Sequence, residues 1–216
     1  MQRLDKSNGQ VLSTGYRRWL NRVPEPHPAT YNYYYDDVVM NLYKCQRGVC
    51  AYTEINLCIP ELYDDINWVR GRFKIPAGAT YNRKAHLGEL DHYNPQDKSQ
   101  RYWNWNNLFM IHAKVNSIKS DNDVVDYLKP DIDGYSPEAY FDYEPETNLF
   151  IPNTDIDDPV RIAEIKNMID NVLCLNHGVI KNERRDYINM LRNRWAAGED
   201  IPVTKFFTAV RWVLQR

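Results

Sequence analysis

The feature that most constrains the fold of this chain is a strand pattern that stops at an Asn-Pro pair and is followed by a second strand and a helix. Residues 86–95 read HLGELDHYNP, in which polar and apolar positions alternate as in a half-buried strand. Pro95 disfavours helical geometry at the residue before it and therefore ends the pattern. The apolar run NNLFMI and the helix-compatible run HAKVNSIKSD then follow one another directly. This order predicts a strand–loop–strand–helix unit at the centre of the chain.

The unit carries the residue types that phosphodiester hydrolysis requires. The reaction needs a base that activates water and a cation that neutralises the developing charge. His92 is the candidate base, and Asp91 beside it offers the carboxylate oxygen that Mg²⁺ prefers as a ligand. Asn107 and Asn116 lie nine residues apart, so a hairpin that folds back would bring both beside the pair. Because successive strand residues point to opposite faces, Asp91 and His92 diverge unless the chain bends at the Asn-Pro turn.

Charge is strongly segregated along the chain, although the net charge is only −2. The segment 70–119 contains nine basic and three acidic residues, whereas 121–164 contains thirteen acidic and two basic residues. Charge runs are most often solvated surface, which is one interpretation of both segments. The basic segment favours an anionic ligand instead, because the Asp91–His92 pair lies inside it.

The remaining periodic stretches predict helices around one core. A short helix is expected at Tyr16–Leu20, and a second follows the tyrosine cluster YNYYYDD. Further along, Asp157 or Asp158 can cap a helix with Pro159 in its first turn, and two more helices are expected after Asn176, the last of them after Pro202. The acidic stretch 121–158 has no clear period and is expected at the surface. A chain of 216 residues suits a single α+β domain.

Composition and patterning exclude the membrane and disulfide-rich classes. No run approaches the roughly eighteen apolar residues of a membrane-spanning helix. The start MQRLDKSNGQ lacks the apolar stretch of a secretion signal, so we expect a cytoplasmic protein. The four cysteines are then expected as reduced thiols, and their spacing matches no ordinary zinc pattern. They are Cys45, Cys50, Cys58 and Cys174.

The runs DHYNP and NNLFMIHAKVNSIKSD together resemble the motif of the HNH endonucleases, the ββα-metal or His-Me finger family. The resemblance covers about residues 45–122. It implies an α+β fold in which a ββα-metal core is embedded in a mostly helical single domain. It also implies hydrolysis of phosphodiester bonds in nucleic acid, with DNA favoured.

The resemblance gives a role to each polar residue of the unit. It implies that His92 is the general base and that Asn107 orients this base or its loop. Asp91 and Asn116 would bind Mg²⁺ or Mn²⁺, with His112 as a further candidate ligand because residues i and i+4 share a helical face. Four basic side chains are expected to contact the nucleic acid, the last of them at a phosphate: Lys98, Arg101, Lys114 and Lys119.

The flanking runs CAYTE, WNWNNLF, LFIPNTD and LCLNHGVIKNERRDYINML resemble the PtuB nuclease subunits of Septu-type antiphage systems, including those attached to retrons. This wider resemblance implies an antiviral defence nuclease whose partner is an ABC-type ATPase of the PtuA kind. In retron versions the partners would include a reverse transcriptase and its multicopy DNA. The expected parts of the domain are an N-terminal helical arm 1–44, the HNH nuclease core 45–122, an acidic surface excursion 123–158 and a C-terminal helical part 159–216.

The chain departs from this family at a structural zinc site. Members of the family commonly bind zinc with two Cys-x-x-Cys pairs. At the matching positions this chain has Cys50 and Thr53, then His112 and Val115, so two of the four ligands are missing. We therefore expect no structural zinc.

Three alternatives to a DNA endonuclease remain open at the level of sequence. An Asp-His pair is commonly only a hydrogen-bonded structural pair. A catalytically silent module would keep this fold in order to bind nucleic acid or the ATPase. A ribonuclease that cuts tRNA would use the same site, because an HNH site does not by itself read the 2′-hydroxyl.

Overall fold

The fold is α+β, as the sequence predicts, and combines helices with small antiparallel sheets. The computed structural model describes residues 1–7, 14–27 and 34–214. The helices of these residues are α1 Thr14–Leu20, α2 Tyr35–Gln46, α3 Pro95–Lys98, α4 Ala113–Lys119, α5 Pro159–Asn167, α6 Gly178–Ala196 and α7 Phe207–Leu214. The strands pair two by two in chain order: β1 Trp68–Val69 with β2 Arg72–Phe73, β3 Gly88–His92 with β4 Leu108–His112, and β5 Phe141–Glu144 with β6 Leu149–Pro152.

The central unit has the predicted order of strand, loop, strand and helix. β3 pairs with β4 in antiparallel register, and His92 at the end of β3 lies opposite Leu108 at the start of β4. α3 is a single turn that begins after Asn94, whose side chain accepts a hydrogen bond from the Gln96 N–H at 2.8 Å. α4 follows β4 directly. The Asn-Pro pair therefore separates the first strand from a short helical turn.

β4 is the most deeply buried element of this unit. Leu108, Phe109, Met110 and Ile111 are all fully buried. Gln46 of α2 closes the edge of the strand, because its Nε2 donates to the Met110 carbonyl at 2.7 Å and its Oε1 accepts from the Met110 N–H at 2.9 Å. The side-chain amide thus satisfies backbone groups that a neighbouring strand would otherwise pair. Burial of each of these apolar side chains contributes about 1.5–3 kcal/mol to the stability of the fold. β4 is therefore held in the core, and β3 pairs with it along its length.

α1 is held against the loop between β3 and β4. Tyr16 is buried, and its hydroxyl donates to the Trp103 carbonyl at 2.7 Å. Trp19 packs on Trp103 with 6.3 Å between the ring centroids. Beyond the helix, the His27 N–H donates to the Gln100 carbonyl at 2.8 Å. The predicted short helix is confirmed, and its apolar side fixes it to this loop.

α5 and α6 begin where the sequence predicts, whereas α7 begins at Phe207, later than the position after Pro202 that the pattern indicates. Asp158 caps α5 by accepting from the Val160 N–H at 2.9 Å, and Pro159 occupies the first turn. α5 continues as a π-helical turn over Met168–Val172, and the predicted apolar stripe is buried at Ile165, Ile169 and Val172. Across the part of the chain that the structure describes, no helix has the length and apolarity needed to cross a membrane.

The acidic segment 123–158 contributes to the core as well as to the surface. β5 and β6 form a hairpin that the sequence pattern does not predict, and Leu128, Tyr135, Phe141 and Phe150 are buried. Strands of four residues are too short to show a clear period, and the acids between the buried positions obscure them further. The segment is therefore not an excursion over the surface alone.

Candidate active site at His92

His92 ends β3 and is fixed in one ring orientation. Its Nε2 lies 2.8 Å from the Tyr102 carbonyl oxygen. A carbonyl accepts but cannot donate, so Nε2 carries the proton and Nδ1 is left as the basic nitrogen. The Tyr102 ring packs edge-on against the imidazole, with 4.4 Å between the ring centroids. Tyr102 belongs to the connection between β3 and β4. The same connection is contacted by α1 at Trp103.

The surroundings of His92 keep its imidazole neutral. Only 5% of the residue is exposed. Burial lowers the pKa of His92 from its ordinary value, against smaller raising effects of the Tyr102 carbonyl and the Asp91 carboxylate. A neutral imidazole is the form that can take a proton from water at about pH 7.

Asn107 holds the chain immediately after His92. Its Oδ1 accepts from the Asn94 N–H and its Nδ2 donates to the Asn94 carbonyl, both at 2.8 Å. The Asn107 carbonyl also accepts from the Tyr93 N–H at 2.9 Å. These bonds fix the turn that follows the candidate base. Asn107 thus contacts the turn that follows His92. A catalytic role for Asn107 stays a prediction.

Asp91 forms a buried ion pair instead of facing the same side as His92. The pairing of β3 with β4 is unbroken through both residues, so their side chains leave opposite faces of the strand. Asp91 Oδ2 accepts from the Tyr52 hydroxyl at 2.6 Å, and Oδ1 lies 3.1 Å from Lys119 Nζ. The Lys119 ammonium also donates to the His92 carbonyl at 2.8 Å. The Asp91 and Lys119 side chains are 4% and 0% exposed, so the pair is shielded from water.

Asn116 and His112 have partners other than Asp91. Asn116 Nδ2 donates to Glu89 Oε2 at 2.9 Å. Glu89 is an exposed carboxylate that we did not select from sequence, although it lies two residues before Asp91 and therefore on the same face of β3. His112 Nδ1 accepts from the Lys114 N–H at 3.1 Å and so caps α4.

This arrangement does not fit a magnesium ion bound at Asp91. Mg²⁺ requires free oxygen ligands in near-octahedral geometry. Each Asp91 oxygen already accepts a hydrogen bond, and the Lys119 ammonium lies where a cation would approach the carboxylate. Within residues 1–7, 14–27 and 34–214, no three His, Cys, Asp or Glu side chains form a group that could hold a metal. The predicted ligands Asp91, Asn116 and His112 are therefore not gathered around one ion position.

The positions that match the family's zinc ligands belong to the interior. Cys50, Thr53 and Val115 are all buried. Val115 has no donor atom, and the Nδ1 of His112 is engaged in the cap of α4. This donor set does not fit a tetrahedral zinc site, which needs four nitrogen, sulfur or oxygen ligands.

Three of the four basic residues expected to contact nucleic acid are exposed. Lys98 and Lys114 are exposed, and Arg101 is exposed with its Nε 3.2 Å from Glu25 Oε1. Lys119 lies in the interior instead, where it cannot reach a phosphate without leaving Asp91. The exposed cations lie on the loop after β3 and on α4.

The chain matches no protein-family model and no curated protein. Its chemistry therefore has to be inferred from the side chains themselves.

Proposed function

We propose that this chain is a nuclease of the HNH type that hydrolyses phosphodiester bonds of nucleic acid, DNA above all, with His92 as general base. The observation that carries the proposal is the bond from His92 Nε2 to the Tyr102 carbonyl, because it leaves Nδ1 free to act as the base. The strand–loop–strand–helix order, with the histidine at the end of the first strand, supports a core of the ββα type.

His92 Nδ1 removes a proton from a water molecule while the water oxygen attacks phosphorus. The bond from phosphorus to the leaving oxygen breaks, and that oxygen keeps the electron pair and takes a proton from solvent. The imidazolium keeps its Nε2–H on the Tyr102 carbonyl, and the Asp91 carboxylate favours the charged ring. A positioned general base contributes about 10²–10⁴-fold to such a reaction. Asn107 serves by fixing the turn after His92.

The proposal includes the biological setting that the resemblance implies. The chain would be a cytoplasmic effector of antiviral defence that works with an ABC-type ATPase of the PtuA kind, and in retron versions with a reverse transcriptase and its multicopy DNA. The acidic segment supports a partner with a basic surface, since Glu146, Asp155 and Asp157 are exposed within it.

A second candidate is a catalytically silent module that binds nucleic acid or the ATPase. The buried Asp91–Lys119 pair and the small exposure of His92 favour this candidate, because a purely structural role for the Asp-His pair needs no access from solvent. The two candidates differ in whether His92 is needed for cleavage.

Cleavage of plasmid DNA and of tRNA, with and without the ATPase, tests the proposal. His92→Ala should lower the cleavage rate by about 10²–10⁴-fold. His86→Gln is the control, because His86 is half-buried and its Nδ1 lies 2.9 Å from the Tyr43 hydroxyl, while no hydrogen bond or ring contact found between described residues joins it to Tyr102. Equal rates for the wild type and His92→Ala would disprove the role of His92. Cleavage of tRNA alone would identify a ribonuclease, and no cleavage under any condition would favour the silent module.

A further inference from the structure

Three exposed arginines lie on α1 and in the turn that follows it. Tyr16 and Trp19 pack against the core, so helical spacing directs Arg17 and Arg18 outward. Arg22 lies in the turn after the helix. All three arginines are exposed, and we call them the α1 arginines.

The α1 arginines have no acidic counter-charge within the described chain. None of the ion pairs formed between described residues involves them. The neighbouring runs 8–13 and 28–33 contain no acidic residue in their sequence. A guanidinium presents five N–H donors in a planar fork that suits phosphate, so three exposed guanidinium groups within six residues are suited to a polyanion.

The segment that carries the α1 arginines is attached to the loop of the candidate active site. The His27 N–H donates to the Gln100 carbonyl at 2.8 Å, and the Trp103 N–H donates to His27 Nδ1 at 3.4 Å. Lys98 and Arg101 lie on the same loop, as does Tyr102, which packs on the candidate base. The position of α1 is therefore coupled to the loop that orients His92.

Two surface cavities lie along this junction and adjoin at His27. One, of about 430 Å³, is lined by Asn21, Glu25, His27 and Arg101 among others. The second, of about 520 Å³, is lined by His27, Lys98, Tyr102 and Asp121 among others. The first cavity is thus next to the turn after α1, and the second is next to Tyr102.

We propose that the α1 arginines, together with Lys98 and Arg101, form a track for the phosphate backbone of DNA that leads to His92. The track rests on the proposed nuclease function and extends its substrate contacts to the N-terminal arm. Of these cations, Lys98 and Arg101 line the two cavities, where the acids are Glu25 and Asp121 and Glu25 is already paired with Arg101. The exposed α1 arginines lie on the segment that His27 joins to the same loop. Phosphates neutralised by arginine or lysine release condensed counterions, so binding along such a track depends steeply on salt.

Equilibrium binding tests the track separately from catalysis. Full-length His92→Ala is the parent, so that labelled duplex DNA is bound without being cut. One derivative carries Arg17→Ala, Arg18→Ala and Arg22→Ala. The control carries Arg185→Ala, Arg192→Ala and Arg194→Ala, which remove the same charge from exposed positions of α6. Fluorescence anisotropy over a salt series gives the affinity and its salt dependence, and thermal melting confirms that both derivatives are folded.

The α1 derivative should bind DNA about tenfold or more weakly at physiological salt, and its slope of log affinity against log salt should be shallower by about 2–3. The α6 derivative should resemble the parent. Equal behaviour of the two derivatives would overturn the track and, if wild-type protein cuts DNA, would leave the proposed function intact. Failure of the parent to bind DNA, with no cleavage by the wild type, would overturn both. If the parent binds tRNA more tightly than DNA, and the α1 derivative loses tRNA binding to the same extent, DNA would be overturned as the ligand of the track.

Discussion

Asp91 and Lys119 form an ion pair in the interior of the protein, with the carboxylate Oδ1 and the ammonium Nζ 3.1 Å apart. Removing two charges from water costs several kcal/mol for each, and the pair offsets this cost only while it is complete and hydrogen-bonded. The Tyr52 hydroxyl and the His92 carbonyl supply the additional bonds. Burial and the Asp91 carboxylate raise the pKa of Tyr52, so this hydroxyl stays a donor. The pair thereby joins α4 to β3.

Loss of the ammonium should be costly. Lys119→Met leaves the Asp91 carboxylate buried without its cation, and should lower the free energy of unfolding by about 3–5 kcal/mol. The double variant Asp91→Asn/Lys119→Met should recover much of this loss, because an uncharged amide replaces the carboxylate. Urea unfolding of the two single variants, the double variant and the wild type measures the coupling. If the two substitutions lower the free energy of unfolding additively, Asp91 and Lys119 are not coupled and the prediction is wrong.

Magnesium should not stabilise the wild-type protein through Asp91. Because the Lys119 ammonium lies beside the carboxylate, millimolar Mg²⁺ is expected to leave the melting temperature unchanged. The melting temperature of Lys119→Met should rise with Mg²⁺, since a ligand that binds the native state stabilises it by mass action. Asp91→Asn/Lys119→Met is the control and should not respond. A wild-type response that Asp91→Asn abolishes would show that the ion displaces Lys119.

The turn after His92 should loosen when Asn107 is replaced. Asn107→Leu leaves the partly buried Asn94 N–H and carbonyl without their partners, which should cost less than the roughly 1–3 kcal/mol of a fully buried polar group. Hydrogen exchange at the Asn94 amide should become faster, and cleavage should slow if the proposed mechanism is correct. The neighbouring Asn106→Leu, at an exposed position, is the matched control. Unchanged exchange at Asn94 in Asn107→Leu would count against this role of Asn107.

Acidification should destabilise the protein in part through His86. The Tyr43 hydroxyl accepts from the Gly88 N–H at 3.2 Å and lies 2.9 Å from His86 Nδ1. Burial lowers the pKa of His86 from its ordinary value of about 6.5. As the pH falls, the His86 imidazole is therefore protonated in the unfolded chain before it is protonated in the folded protein. The contribution of neutral His86 to the free energy of unfolding is fully present above about pH 6.5 and is lost as the pH falls through the folded pKa.

Urea unfolding of the wild type and His86→Gln over a pH series measures this contribution. Below about pH 6.5 the stability of His86→Gln should fall less steeply than that of the wild type. The pKa of His92 is lowered in the same direction, so a residual slope should remain in the variant. Identical slopes in the two proteins would show that His86 does not contribute.

The elements of the central unit were predictable from local sequence, whereas the partners of its polar side chains were not. Local sequence determines three features of this unit: the alternation of polar and apolar residues up to His92, the end of the strand before Pro95, and the helix after β4. The burial of Lys119 and the bond from Asn116 to Glu89 depend on how α4 packs on β3, which no local pattern encodes. The β5–β6 hairpin was missed because its strands are short and lie among acidic residues.

Tyr102 contributes to the environment of His92 through two different parts of one residue. Its main-chain carbonyl orients the imidazole, while its aromatic ring packs against it. Rotation about the Cα–Cβ bond can move the ring and leave the carbonyl in place, so exposing the base need not disturb its tautomer. Under the proposed function, the side chain and the main chain of this one tyrosine would therefore control two separate properties of His92, its contact with neighbouring groups and the nitrogen that carries its proton.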